Sequence, residues 1–114
     1  MQVMSEILPG DIVKIKVNGE LSIFYIDPFE SAVQKHIVEG KSKFIFDFRD
    51  VTYIDSMGIG LLSIAGNSAS QKGHKIAVIV TNPKVKYTLN VSRLHEMIEI
   101  VETESDALKV FGGN

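Results

Sequence analysis

The sequence predicts an α/β domain built on a mixed, mainly parallel sheet of four or five strands with about four helices. Three observations carry this prediction. From residue 12 onward, strand-length apolar segments alternate with segments of helical periodicity. That pattern gives parallel strands joined by right-handed crossovers. Ile76–Val80 is apolar on both faces, as a central strand covered by helices on both sides must be. Pro9-Gly10-Asp11 is a turn signal that sets residues 2–7 antiparallel to the segment after it.

In residues 12–17, Val13, Ile15 and Val17 share one face while Lys14 and Lys16 share the other, the alternation of a half-buried strand. Asn18-Gly19 ends it. Leu21–Ile26 suits either a strand or a loop packed on the core. Asp27-Pro28 opens a helix, with the acid as N-cap and proline at the first helical position. Phe29, Ala32, Val33, His36 and Ile37 then recur at helical spacing until Gly40. Phe44–Phe48 is aromatic and apolar enough for a buried strand. A loop over Arg49–Ile54 leads to Asp55-Ser56, which caps a helix running to about Lys72. Its apolar face is Gly58, Leu61, Leu62, Ala65 and Ala69. After Ile76–Val80, Asn82-Pro83 opens a helix with Val85, Leu89 and Val91 inward. Met97–Val101 is the last strand. Thr103-Glu104-Ser105-Asp106 starts a terminal helix carrying Ala107, Leu108 and Phe111.

The 114 residues correspond to one domain, given a typical size of ~150 residues, so residues 1–114 read as a single unit. Size scaling gives ~6,200 Å² of folded surface against ~18,000 Å² for the extended chain, enough burial for a core. Twelve Lys and Arg against fourteen Asp and Glu leave a net charge of −2, which offers no electrostatic grip on nucleic acid. There is no cysteine, hence no disulfide and no thiolate metal site. The start MQVMSEILPGD lacks the basic and apolar regions of a signal peptide. The longest apolar stretches fall far short of the ~20 residues that span a bilayer. The expectation is a cytoplasmic domain with no membrane insertion.

Little in the chain carries catalytic chemistry, so no enzyme is expected. His36, His74 and His95 lie at no metal-ligand spacing and read as surface or helix-face residues. No Gly-x-Ser-x-Gly elbow is present. Gly58-Ile59-Gly60 lacks the remainder of a phosphate loop or a dinucleotide fingerprint, and reads as close packing of a helix start on the sheet. No metal or cofactor site is predicted. Val51–Gly60 stands out by position: it lies at the carboxyl end of a parallel strand and opens a helix, where open α/β sheets place their sites. Free backbone amides and the helix dipole favour negative charge there. Taken alone, Asp55-Ser56 is a helix cap.

Asp55-Ser56-Met57-Gly58-Ile59-Gly60, following Phe46-Asp47-Phe48 and Val51-Thr52-Tyr53-Ile54, resembles the signature of the STAS domain of anti-sigma-factor antagonists. Gly19-Glu20-Leu21 before the Pro28–Val33 helix, Ile76–Val80, Asn82-Pro83 and Ser105-Asp106-Ala107-Leu108 match the same family in order and spacing. The resemblance implies the STAS fold over nearly the whole chain and a small bacterial regulator that binds an anti-sigma factor, often also a serine kinase using ATP. In that family the unphosphorylated antagonist sequesters its partner and frees the sigma factor. Phosphorylation of the signature serine ends the sequestration, and a phosphatase restores it. Carried over, Ser56 is the phosphoacceptor, flanked by Asp55, Met57 and Gly58. The resemblance also allows a second role, as a non-catalytic scaffold or accessory subunit of a stress-signalling complex or a lipid transporter.

Two departures from the family pattern bear on the partner. Ser22 stands where relatives commonly carry an acidic residue near the phosphoacceptor, and Met57 stands where a small residue is frequent. On the 57–72 helix, Met57, Gly60, Ile64 and Ser68 form a stripe beside the core face. Its apolar members either contact a partner or belong to a broad buried arc. Ser22, Met57, Gly60 and Ile64 are the candidate partner-binding residues. The sequence carries no signal for oligomeric state.

Overall fold

The computed structural model describes residues 1–112, so the last two residues of the expected 1–114 unit lie outside the described residues. Five strands, β1 (Gln2–Leu8), β2 (Ile12–Leu21), β3 (Phe44–Ile54), β4 (Ile76–Ile79) and β5 (Ile98–Val101), lie side by side in chain order. β1 is antiparallel to β2, and every other neighbouring pair is parallel. The helices are α1 (Asp27–Val38), α2 (Ser56–Ser70), α3 (Pro83–Val91) and α4 (Glu104–Lys109). The accessible surface of 6171 Å² agrees with the size scaling.

Sequential order decides where the helices go. Parallel strands laid down one after another by right-handed crossovers put every connecting helix on the same side. Accordingly Phe29 and Val33 of α1, Leu61, Leu62, Ala65 and Ala69 of α2, and Val85 and Leu89 of α3 form one core with Val13, Ile15, Val17, Phe44, Phe46, Phe48, Ile76 and Val78. Among the described residues, the other sheet face has only α4, whose Ala107 packs with Ile12, Ile45, Ala77 and Ile79. β4 is thus covered on both sides, as its two-faced apolarity predicts. Along β3, Phe44, Phe46 and Phe48 stack at 5.7 and 5.9 Å, and Phe29 meets the latter two edge-on at 5.4 and 5.7 Å. Such aromatic pairs add about 0.5–1.5 kcal/mol each beyond their burial.

Asp47 is the exception inside β3. Its side chain is fully buried, yet Arg49 Nε and a terminal guanidinium nitrogen donate to its two oxygens at 2.9 and 2.7 Å. Lys14 Nζ lies 4.0 Å away, 3.9 Å from Glu6, and also bonds Glu104 at the start of α4. Burial pushes the Asp47 carboxyl up, but the Arg49 bonds and charge together with Lys14 outweigh it and hold it below the ordinary range. The network ties β1, β2, β3 and α4 together on the thinly covered face.

Several boundaries differ from the sequence expectation. Asn18-Gly19 does not end β2, and Arg49–Ile54 is not a loop: both strands continue, paired from Asn18↔Asp50 to Leu21↔Ile54. Two register shifts give β3 an extra residue each time, so its inward residues lose period-two spacing and its second half reads as irregular. Gly19 sits at φ +118°, and a Cβ there would lie 3.2 Å from Met1 Cα. Only glycine suits both conditions. Asp27 is the first residue of α1, not its cap, which is Ile26 without a side-chain bond. Val91 is exposed rather than inward, and His36, expected on the surface or a helix face, is buried on the inner face of α1. His74 accepts or donates a bond with Ser42 Oγ at 3.0 Å, while His95 is exposed.

Candidate functional site

The carboxyl ends of β2 and β3 lie side by side and deliver the candidate residues together. Asp55 leaves β3 in an extended conformation and caps α2, accepting the Met57 amide on Oδ1 at 2.9 Å. Its own amide donates to the Leu21 carbonyl at 3.1 Å, and its Oδ2 accepts the Ile23 amide at 3.2 Å. A single aspartate therefore starts the helix and pins the segment after β2. Ser56, the first residue of α2, is exposed.

Gly58 lies one turn in and is buried. A Cβ there would fall 2.6 Å from Ile54 Cγ1 and 3.1 Å from Leu21 Cβ. Its role is close approach of the helix start to the strand ends, which lets Asp55 reach both neighbours. Gly60 faces open space, with nothing within 4 Å of an added Cβ. Met57 and Ile64 are 42% and 47% exposed, so the broad buried arc does not absorb them.

Ser22, one of the expected partner-binding residues, lies beneath the surface rather than on it. It is 5% exposed, and its hydroxyl meets no hydrogen-bond partner among the described residues. The turn closed by the Tyr25 amide on the Ser22 carbonyl at 2.9 Å tucks this side chain inward and turns the next three outward. Ile23, Phe24 and Tyr25 are 61%, 84% and 51% exposed, and Tyr53, near the end of β3, is 51% exposed. These four were missed in the sequence because their apolar character reads as core. The available signal was two aromatics in a segment that fits no single periodicity, directly before a helix start. Three exposed apolar residues in a row followed by a fourth across the strand ends is more than the scattered exposure of an ordinary surface.

The exposed apolar residues at the strand ends are interspersed with charge: Glu20 pairs with Tyr53, and Asp55 precedes Ser56. A cleft of about 580 Å³ lies at the opposite end of the sheet among Lys43, His74, Lys75, Glu99, Asp106 and Phe111. Among the described residues, no group of three His, Asp or Glu could hold a metal ion, and no helix is long and apolar enough to cross a membrane.

The sheet order, the single helix on the far face and the exposed serine at the start of α2 define a small α/β module with a serine displayed at a strand-to-helix corner. The sequence profile of the STAS domain matches residues 3–107, and the chain belongs to that family. It is 29% identical over 100 residues to a Thermotoga maritima protein provisionally named an anti-sigma factor antagonist, covering 87% of this chain and 88% of that one. The crystal structure of an anti-sigma factor antagonist, so named provisionally, from Thermotoga maritima superposes with a TM-score of 0.84 at 28% identity, covering 94% and 92% of the two chains. The anti-sigma F factor antagonist of Paenibacillus polymyxa is 26% identical over 101 residues, covering 85% and 84%. The anti-sigma factor antagonist SpoIIAA in its unphosphorylated form shares the fold with a TM-score of 0.75 at 18% identity, covering 99% and 100%.

Proposed function

We infer that this chain is an anti-sigma-factor antagonist switched by phosphorylation of Ser56. In its unmodified form it binds an anti-sigma factor that is also a serine kinase, and so releases the sigma factor. Phosphate transfer from ATP to the Ser56 hydroxyl, catalysed by the partner's groups, ends the association, and a phosphatase resets it. The chain itself acts by binding, in a bacterial cytoplasm. The observation that carries this reading is an exposed Ser56 on the first turn of α2, next to an Asp55 that holds the exposed Met57 and Ile23 by their amides.

The physical argument separates fold from interface. A phosphate adds about −1.5 to −2 charges and strong acceptor oxygens. At a helix N-terminus the free amides and the dipole tolerate it. SpoIIAA, solved in both unphosphorylated and phosphorylated forms, matches this fold in each, with TM-scores of 0.75 and 0.73. A partner surface closed over the same point is a different environment. There a charge without a partner costs several kcal/mol, and ~2.7 kcal/mol already corresponds to a hundredfold weaker complex. Asp55, one residue away, adds to the repulsion. Gly58 and Asp55 act by positioning the serine, while Met57, Gly60 and Ile64 extend the contact along α2.

The test is incubation with the anti-sigma factor kinases of the source bacterium and ATP, followed by mapping of the phosphate. The reading expects one phosphate, on Ser56, and none on Ser56→Ala. Labelling at another residue, or stable association with no labelling, overturns the switch and favours the scaffold role.

A further inference from the structure

Among the described residues, one edge of the sheet has no neighbouring strand: β1 is bonded only to β2, in continuous register from Gln2↔Asn18 to Leu8↔Ile12 with no bulge. Natural edges are blunted by shortness, proline, charged side chains or a bulge. β1 has seven residues, QVMSEIL, with no proline, lysine or bulge and a single charge, Glu6, which lies 3.9 Å from Lys14 of its own chain. The opposite edge, β5, has four residues and exposes Glu99. Met4 and Ile7 of β1 are 68% and 52% exposed.

From this edge we propose that the chain pairs with a second copy of itself, β1 against β1 in antiparallel register about a twofold axis at Ser5, giving a continuous ten-stranded sheet. The argument for a second copy is the strand's own pattern. A twofold axis perpendicular to the sheet must pass through a residue, so that opposed side chains lie on the same face. Centred on Glu6, it sets two carboxylates directly opposite, which destabilises. Centred on Met4, it leaves Ile7 and Leu8 unpaired. Centred on Ser5, it pairs all seven residues: Val3 with Ile7 and Gln2 with Leu8, each pair twice, Met4 with Glu6 twice, and Ser5 with itself. Each Glu6 keeps its own cation, since Lys14 Nζ lies 3.9 Å from it within the same chain.

Seven opposed pairs supply about six to eight inter-strand hydrogen bonds. The interface is smaller than the roughly 1,000 Å² expected of a stable complex, so pairing is reversible and concentration-dependent. β2 separates this edge from β3, the strand that leads into Asp55 and the Ser56 start of α2. The pairing is therefore independent of the regulatory reading, and neither result decides the other.

The absence of cysteine makes the test clean. Ser5→Cys places two thiols directly opposite, at a Cα spacing of about 4.5–5.5 Å that a disulfide accepts. Gln2→Cys places its two thiols six residues apart along the strands, about 20 Å. Under mild oxidation Ser5→Cys is expected to cross-link at least tenfold faster than Gln2→Cys, while a mixture of Gln2→Cys and Leu8→Cys yields the mixed dimer. In sedimentation equilibrium the unmodified chain is expected to rise from 12.6 kDa toward twice that mass between micromolar and millimolar concentration. Ser5→Lys, with an unchanged melting temperature, is expected to abolish the rise. A constant monomer mass, equal cross-linking of Ser5→Cys and Gln2→Cys, or dimerisation unaffected by Ser5→Lys overturns the proposal.

Discussion

Asp55 holds Ile23 in place: its Oδ2 accepts the Ile23 amide at 3.2 Å while its Oδ1 accepts the Met57 amide at 2.9 Å. One carboxylate thus fixes the two segments that flank Ser56 relative to each other. Removing it with Asp55→Ala loses the cap, worth about 1–2 kcal/mol, and lowers the melting temperature by roughly 4 °C for each kcal/mol. Chymotryptic cleavage at Phe24 and Tyr25 accelerates as the segment loosens. Asp55→Asn keeps the cap acceptor but not both acceptors, so it retains most of the stability and still cleaves faster. Melting curves with a cleavage time course separate the two effects. An Asp55→Ala protein as resistant as the original contradicts the pinning role.

Gly58→Ala tests the close approach of α2 to the strand ends. With Ile54 Cγ1 at 2.6 Å from the added carbon, the helix start has to shift outward, at a cost of about 1–3 kcal/mol. Chemical denaturation is expected to show that loss with an unchanged denaturant slope. Gly60→Ala, facing open space, is expected to be neutral or slightly stabilising through its better helix propensity. Equal effects at the two positions would refute this packing account.

Ser22→Ala is expected to leave stability unchanged or to raise it by up to about 1 kcal/mol, since it removes a buried hydroxyl that has no hydrogen-bond partner among the described residues. Partner affinity is expected to stay within a factor of two, whereas Phe24→Ala lowers it at least tenfold, as truncation of an aromatic anchor does. A large loss at Ser22 with none at Phe24 would reverse the assignment of contacts.

The contrast between Ser22 and Phe24 marks how far the sequence can be read. Alternation in residues 12–17, the aromatic repeat of Phe44–Phe48 and the caps at Asp55, Asn82 and Thr103 are local signals, and each is realised: Asn82 accepts the Lys84 and Val85 amides, and Thr103 accepts the Asp106 amide. The second half of β3 was illegible because pairing with β2 through two register shifts is a tertiary event that leaves no periodicity. The aromatic rim was illegible for a related reason. An exposed apolar residue and a buried one are the same letter, and only the turn at Ser22–Tyr25 decides which way each points. Ser56 itself was located by motif, and its exposure is a property of where α2 begins.

Asp47 sets a pH dependence. Its carboxyl is held below the ordinary range in the fold, with burial opposing and the Arg49 bonds and Lys14 charge prevailing. A group with a depressed folded pKa contributes stability above its unfolded pKa, ~3.9 for aspartate. That contribution is lost as pH falls through the lower folded value. Stability at pH 7 is therefore expected to exceed that below pH 4, and Asp47→Asn to flatten the acid limb while costing about 2 kcal/mol at neutral pH through its lost charge-assisted bonds. Melting temperatures across pH 2–7 for both proteins check this, and an acid limb as steep in Asp47→Asn as in the original assigns the effect to other carboxylates.

The central claim is that modification of Ser56 acts on the interface and leaves the fold intact. Its most direct test is the dissociation constant of the anti-sigma factor kinase for the unmodified chain and for the same chain carrying phosphoserine at position 56, with the melting temperature of each measured alongside. The account predicts a loss of affinity of about a hundredfold or more, with a small change in melting temperature. Equal affinity of the two forms, or a phosphorylated chain that fails to fold, would contradict it.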